Sequence, residues 1–274
     1  MKERLDLCLI QLDIQWENPT ANRLKLEIYF QEIGNSTDVI VLPEMFTTGF
    51  SMNPAPIAET MDGITLTWLL HWAKKLETAI CGSLVISENG NHYNRFVFVT
   101  PQGVIETYDK RHRFMMAGEG EQYTAGSSRV LIEYLGWKIL PQICYDLRFP
   151  VFSRNTIDYD VVLYVANWPK ARIAAWDSLL TARAIENMAY CVGVNRVGLD
   201  GNGLEYVGHS AVYDVLGVSC ANSEKHSDML SLTKESTDYK AKEGIIRVNL
   251  SKSLITTTRT KLPFLEDRDS FTLN

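Results

Sequence analysis

The sequence predicts an α+β chain of α/β type: two mixed β-sheets packed face to face with helices outside, a four-layer αββα sandwich. Three observations carry this expectation. Short apolar runs interleave with helical patterns along the whole length, the mark of folds with buried sheets. Several runs are joined by hairpin turns, so antiparallel pairs must share sheets with parallel ones. Ten or more strands stand against only a few helices, which calls for two sheets and not one.

Each element has a local reason. Residues 5–14 form a largely apolar opening strand. Pro19–Ile33 follows as a helix, with Leu24, Leu26, Ile28, Tyr29 and Ile33 spaced for it and Gly34 to end it. The Val-Ile-Val-Leu run at 39–42 is short, β-branched and unbroken, as a strand buried on both faces should be. Ile64–Leu76 repeats the helical pattern through Leu66, Leu69, Leu70, Ala73 and Leu76. Residues 79–87 and 94–100 read as strands, and Pro101-Gln102-Gly103 turns the second onto 104–108. Residues 130–134 and 138–144 pair around Leu135-Gly136-Trp137. A buried strand at 161–165 precedes a third helix at 174–188. Strands at 190–197, 209–214 and 244–250 complete the set. No linker, repeat or charge block divides the chain, so one domain over 1–274 is expected, with polar residues 223–244 as a surface excursion.

Composition narrows the function. The chain has 274 residues, 46% hydrophobic and 22% charged, enough to bury a core without disulfide or metal staples. Its 27 basic and 33 acidic residues give a net charge of −6, which offers phosphate no attraction and argues against a nucleic-acid partner. No apolar run reaches a membrane-spanning length, and the charged start Met1-Lys2-Glu3-Arg4 does not resemble a signal peptide. A cytoplasmic protein is expected. The cysteines at 8, 81, 144, 191 and 220 are odd in number and scattered, with no zinc-ligand spacing. They read as free thiols in a reducing compartment.

Three segments share one grammar: an apolar strand that stops at a reactive side chain, where α/β proteins place ligands. In Val39-Ile40-Val41-Leu42-Pro43-Glu44, a carboxylate follows a buried strand, and desolvation would raise its pKa and suit it as a base. In Tyr108-Asp109-Lys110-Arg111-His112-Arg113, one cation turned inward would stabilise developing negative charge. In Ile143-Cys144-Tyr145-Asp146-Leu147-Arg148-Phe149-Pro150, a thiol ends a strand before a short helix, whose N-terminus would lower its pKa and supply an oxyanion site. Each also has an ordinary reading: a loop Glu, a solvated hairpin end, a buried structural Cys. Cys8, Cys81, Cys191 and Cys220 fit the structural role, since each lies in or beside a β-type run.

The order Leu-Pro-Glu-Met-Phe, Tyr-Asp-Lys-Arg-His, Ile-Cys-Tyr-Asp-Leu-Arg-Phe-Pro resembles the nitrilase superfamily of carbon–nitrogen hydrolases over nearly the whole chain. Residues 7–13, 182–187 and 208–217 are similar to its opening strand, the helix after the nucleophile and a late strand pair. The resemblance implies a catalytic Glu44, Lys110 and Cys144, with Glu119 as a second, supporting glutamate seven residues before Gly126. Where the family often has Pro at 125, this chain has Ala125. Cys144–Pro150 and Asn167-Trp168-Pro169 look most like the omega-amidase branch, which acts on ω-amides of 2-oxo dicarboxylates. The implied mechanism is a thioester on Cys144, an oxyanion held by Lys110 and the Tyr145 backbone N–H, and no cofactor or metal. It also implies a homodimer pairing through the helix at 174–188, where Trp176, Leu179, Leu180 and Met188 fit interface or core alike.

An ω-amide carries a distal carboxylate, and Arg172 is the candidate partner; Trp168, Phe46 and Met115 are candidate pocket walls. Arg148 reads as a structural partner of Asp146 or a neighbouring carboxylate. Rival readings are a nitrilase, an N-carbamoyl amino acid amidohydrolase, an aliphatic amidase, an inactive interaction protein or a thiol redox sensor. A Cys-His protease using His112 and Asn167 would leave Glu44 and Lys110 unexplained. Ser210 lies in no G-x-S-x-G elbow, and the glycines of 198–208 make no dinucleotide fingerprint.

Overall fold

The computed structural model describes residues 2–220 and 242–273. Most of the polar stretch expected as a surface excursion lies outside them. In chain order the elements are β1 (Arg4–Gln11), α1 (Pro19–Ile33), β2 (Val39–Val41), α2 (Ile64–Leu76), β3 (Ala79–Glu88), β4 (Asn91–Val99) and β5 (Ile105–Asp109). There follow α3 (Glu119–Gln122), β6 (Ile132–Tyr134), β7 (Trp137–Ile143), α4 (Pro150–Ser153), β8 (Val161–Ala166) and α5 (Ile173–Asn187). The last are β9 (Tyr190–Asn195), β10 (Val197–Leu199), β11 (Glu205–Val207), β12 (Ala211–Tyr213), β13 (Gly244–Ser251) and α6 (Lys252–Lys261).

Two mixed sheets result, in the orders β13-β1-β2-β3-β4-β5 and β12-β9-β8-β7-β6, with β10-β11 as a separate hairpin. Each has a parallel three-stranded centre, β1-β2-β3 and β7-β8-β9, edged by antiparallel strands. The unbroken apolar runs of these strands resolve into two alternating faces. Leu7, Leu9, Val39 and Val41 meet Ile139, Val161, Leu163 and Val192 between the sheets. Cys8, Ile10, Ile40 and Ile80 point outward onto Leu26 and Phe30 of α1 and Leu69 and Trp72 of α2. Leu140, Val162 and Tyr164 point outward onto Trp176, Leu180 and Ala184 of α5, one helical stripe at i, i+4, i+8. The layers run helix, sheet, sheet, helix, as the sequence predicts.

The helix ends obey local chemistry. Pro19 opens α1, Asn18 accepts a hydrogen bond from the Ala21 N–H at 3.1 Å, and Gly34 closes the helix at φ 58°. Three expectations need correction. The strand expected to end on Cys144 ends at Ile143, and Cys144 opens a tight helical turn with φ 44°. The strand expected over 190–197 breaks at Arg196 into β9 and β10. α6 was not foreseen: it is threonine-rich and buries only Ile255 and Thr258, so it has no apolar stripe to read.

Candidate active site

The site lies where the carboxyl ends of the parallel strands of both sheets converge. Glu44 follows β2, Lys110 follows β5, Cys144 follows β7 and Asn167 follows β8. Glu44 is fully buried, and every oxygen it carries is engaged. Its Oε1 accepts from Asn94 Nδ2 at 2.7 Å and from Lys110 Nζ at 2.9 Å. Its Oε2 accepts from the Asn167 N–H at 2.8 Å, and its backbone carbonyl accepts from Asn167 Nδ2 at 2.7 Å. Glu44 thereby ties the end of one sheet to the end of the other. Asn94 is held in turn by the Ser83 hydroxyl, which donates to its Oδ1 at 2.8 Å and accepts from the Met45 N–H at 2.9 Å. Sequence reasoning missed Ser83 and Asn94; the signal for Ser83 was a polar residue inside an apolar strand, which needs a buried partner, while Asn94 sits in the polar first half of β4 and gave none.

The Lys110 ammonium is 1% exposed and sits between two carboxylates. Besides Glu44 it reaches both oxygens of Glu119 at 3.0 Å, and it lies 4.9 Å from the centre of the Phe50 ring. Glu119, on the first turn of α3, also accepts from the Phe114 N–H. Burial works against the Lys110 charge, but the Glu119 and Glu44 carboxylates outweigh it and hold the ammonium above its ordinary value. Burial raises the Glu119 carboxyl, with Lys110 opposing.

Cys144 is half-buried at the floor of a cavity of roughly 630 Å³. Its thiol lies 3.8 Å from the Asn167 carbonyl oxygen, and the Glu44 carboxylate is near enough to act on its ionisation. The expected lowering of its pKa is overturned. Burial and the Glu44 and Glu119 carboxylates push the thiol well above its usual range, with Lys110 opposing. The five-residue turn after it is too short for its dipole to compensate. The other four cysteines are buried, each with its thiol raised by burial.

The cavity walls are partly as expected. Trp168, Arg172 and Tyr145 line it. Trp168 Nε1 donates to the Arg172 carbonyl at 2.8 Å, and the Arg172 guanidinium lies 5.0 Å from the Phe114 ring centre. Phe46 does not line it: the side chain is buried in the core under α2, pressed against Gly82, where an added Cβ would come within 2.9 Å of its ring. Met115 does not line it either, being 64% exposed on the turn beyond; its neighbour Phe114 takes the wall position. Arg148 does not pair with Asp146, whose carboxylate is filled by Tyr108, His112 and Ile143. Instead it sits at the cavity with its guanidinium 5.0 Å from the Trp168 ring centre. His112 faces Asp146 and a separate cavity, which removes the Cys-His protease reading. The glycine-spaced stretch 198–208 is the β10-β11 hairpin, and it supplies the far wall through Asp200, Asn202, Leu204 and Tyr206. Among the described residues no cluster of three or more His, Cys, Asp or Glu is arranged to hold a metal, and no helix is long and apolar enough to cross a membrane.

The strand ends of this αββα sandwich thus bring together Glu44, Lys110 and Cys144, the three residues that the sequence resemblance singles out. The sequence model of the carbon-nitrogen hydrolase family matches residues 7–233, and the chain belongs to that family. An omega-amidase of Yersinia enterocolitica is 44% identical over 273 residues, 98% of each chain. A 2-oxoglutaramate amidase of Bacillus subtilis is 31% identical over 263 residues, 94% of this chain and 95% of that one. The crystal structure of a CN-hydrolase superfamily protein from Xanthomonas campestris, which carries an arsenic adduct in its active site, superposes over all of both chains with a TM-score of 0.91 at 38% identity. The protein is an amidase, a hydrolase of carbon–nitrogen bonds other than peptide bonds, and this sets aside the non-enzymatic readings.

Replacing Lys110 with Met would leave two buried carboxylates facing each other without their counter-charge. Loss of a partner from a buried ion pair typically costs about 3–5 kcal/mol, and urea unfolding at neutral pH should show a loss of that order. Mutual repulsion would raise the folded carboxyl pKa values above the unfolded ones, so the folded variant binds more protons. The deficit should therefore shrink as pH falls toward those values. A deficit that grew on acidification would contradict this account.

Proposed function

We propose that the amidase is an omega-amidase, hydrolysing 2-oxoglutaramate or 2-oxosuccinamate through Glu44, Lys110 and Cys144. The observation that carries the reading is the Cys144 thiol beside Glu44 on the floor of a cavity whose walls present Arg172 and Arg148. The resemblance to omega-amidases supports the substrate class.

The thiol rests protonated, so a base must take its proton as the sulfur attacks. Glu44 is in place for this, its oxygens aimed by Asn94 and the Asn167 N–H. Sulfur bonds to the amide carbon, and the carbonyl electrons move to oxygen. The oxyanion is held by Lys110 Nζ and the Tyr145 N–H; one such donor is worth about 10²–10³ in rate. Glu44 returns the proton to the departing nitrogen, ammonia leaves, and a thioester to Cys144 remains. Glu44 next activates water, which attacks the thioester and frees the acid and the thiol. Glu119 grips Lys110 with both oxygens and so acts through it. Arg172 takes the distal carboxylate, with Trp168 as a wall of the channel. The Phe114 ring beneath Arg172 keeps the guanidinium on the pocket wall. We further propose a homodimer. Trp176, Leu180 and Met188 are core, but Ile185 of α5 is exposed against the Gly217 turn, beside exposed Leu216 and Val218. This apolar face suits a second copy of the chain; gel filtration at the monomer mass would refute it.

Cys144→Ala should abolish ammonia release from 2-oxoglutaramate while the fold persists, and intact-mass spectrometry of the wild type under turnover should show the acyl adduct. Substantial turnover by Cys144→Ala would sink the mechanism. Faster ammonia release from N-carbamoyl-β-alanine or a nitrile than from 2-oxoglutaramate would sink the substrate class. Arg172→Gln should raise KM for 2-oxoglutaramate by about tenfold to a hundredfold, the loss of a charged hydrogen bond of about 1.5–3 kcal/mol, and leave an uncharged aliphatic amide little affected. Equal effects on both substrates would remove Arg172 from carboxylate recognition.

A further inference from the structure

The fully buried carboxylate of Asp146 has no part in the steps above, yet it touches both segments that carry them. Its Oδ2 accepts from the Tyr108 hydroxyl at 2.7 Å and from the Ile143 N–H at 2.9 Å. Its Oδ1 accepts from the His112 N–H at 3.0 Å and lies 2.8 Å from His112 Nδ1. Tyr108 and His112 stand two residues before and after Lys110, and Ile143 immediately precedes Cys144. The Tyr108 oxygen also accepts from the Arg111 N–H at 3.1 Å. One side chain thus fastens the loop of the cation to the elbow of the thiol. The His112 ring is stacked on Phe149 with centroids 3.8 Å apart and planes nearly parallel, and it meets Phe152 edge-on at 5.1 Å, so the clamp is itself rigidly seated.

The elbow needs such a clamp. Cys144 has φ 44°, a conformation costly for a residue with a side chain and kept only where the surroundings enforce it. We infer that Asp146 is a positioning residue, whose bonds to Tyr108, His112 and Ile143 set the distance between the Lys110 loop and the Cys144 elbow. The inference goes beyond the proposed mechanism but rests on its assignment of Cys144 as nucleophile.

Asp146→Asn tests it. An amide can keep one acceptor oxygen but must turn an NH₂ donor toward the Tyr108 hydroxyl and the Ile143 N–H. Measured on whichever ω-amide the wild type hydrolyses, kcat should fall about 10²-fold, the scale set by an ångström of misplacement, with KM nearly unchanged. The rate at which iodoacetamide alkylates Cys144 should fall with it. Tyr108→Phe, which keeps the ring and removes one bond, should shift both readings the same way by less; it decides the matter if Asp146→Asn fails to fold. A lowered melting temperature with wild-type kcat and alkylation rate, or a loss confined to KM, would overturn the inference. Cys144→Ala is measured alongside. If it retained turnover, the nucleophile assignment would fall; if it were inactive while Asp146→Asn behaved as wild type, only the role of Asp146 would fall.

Discussion

The rest of the site depends on one constraint: a lysine ammonium held dry between two glutamates. Lys110 with Glu44 and Glu119 leaves the cluster one negative charge in excess, in a place where water cannot dilute it. Such a group is affordable only when every oxygen and every N–H is engaged. Hence the ring of supports around it: Asn94 and Ser83 from one sheet, Asn167 from the other, and the Phe114 N–H from the turn before α3. Because Glu44 is bonded to the ends of both sheets, the packing of the sandwich is also what aims its carboxylate. Core and active site are one mechanical object here.

The fold was legible because its periods are clean. Val39-Ile40-Val41 and residues 161–165 are continuous apolar runs, and Trp176, Leu180 and Ala184 mark one helix face. What escaped was whatever lacks a period. α6 buries two side chains, and β10-β11 is a hairpin of three-residue strands. Glu44, Lys110 and Cys144 were visible as polar residues at strand ends, and their order resembled one superfamily. The walls were harder, because whether a side chain faces a cavity or the core depends on packing partners far along the chain. Phe46 turns into the core because Gly82, 36 residues away, leaves room for its ring. Phe114 faces the cavity while Met115, one residue on, faces solvent. Residue type alone separates none of these.

The thiol is the other place where local reasoning failed. A cysteine at a strand-to-helix elbow suggests a lowered pKa, and a longer helix or a lone lysine would produce one. Here Lys110 is already claimed by two carboxylates, so little of its field is left to favour a thiolate, and burial decides. The protonated thiol has a chemical consequence. A standing thiolate would add a second uncompensated charge to the cluster and expose the sulfur to oxidants. In the mechanism proposed above, a thiol that loses its proton to Glu44 only as it attacks would keep the charge of the cluster constant until substrate supplied an oxyanion for Lys110 to meet.

Charge also separates the floor of the cavity from its walls. The floor carries Glu44 and Glu119, and in the proposed mechanism it would receive the neutral amide end of a substrate. The walls carry Arg148 and Arg172, each lying against an aromatic ring and pairing with no carboxylate among the described residues. An anionic group entering this cavity is repelled by the Glu44-Glu119 end and attracted by the arginines, so an ω-amide has only one favourable direction in which to lie. For the anionic substrate proposed above, orientation would come from the long-range field before any contact with Cys144, and a chain with a net charge of −6 would gather it through two local cations. An uncharged amide of the same length would lack that guidance and could enter either way round.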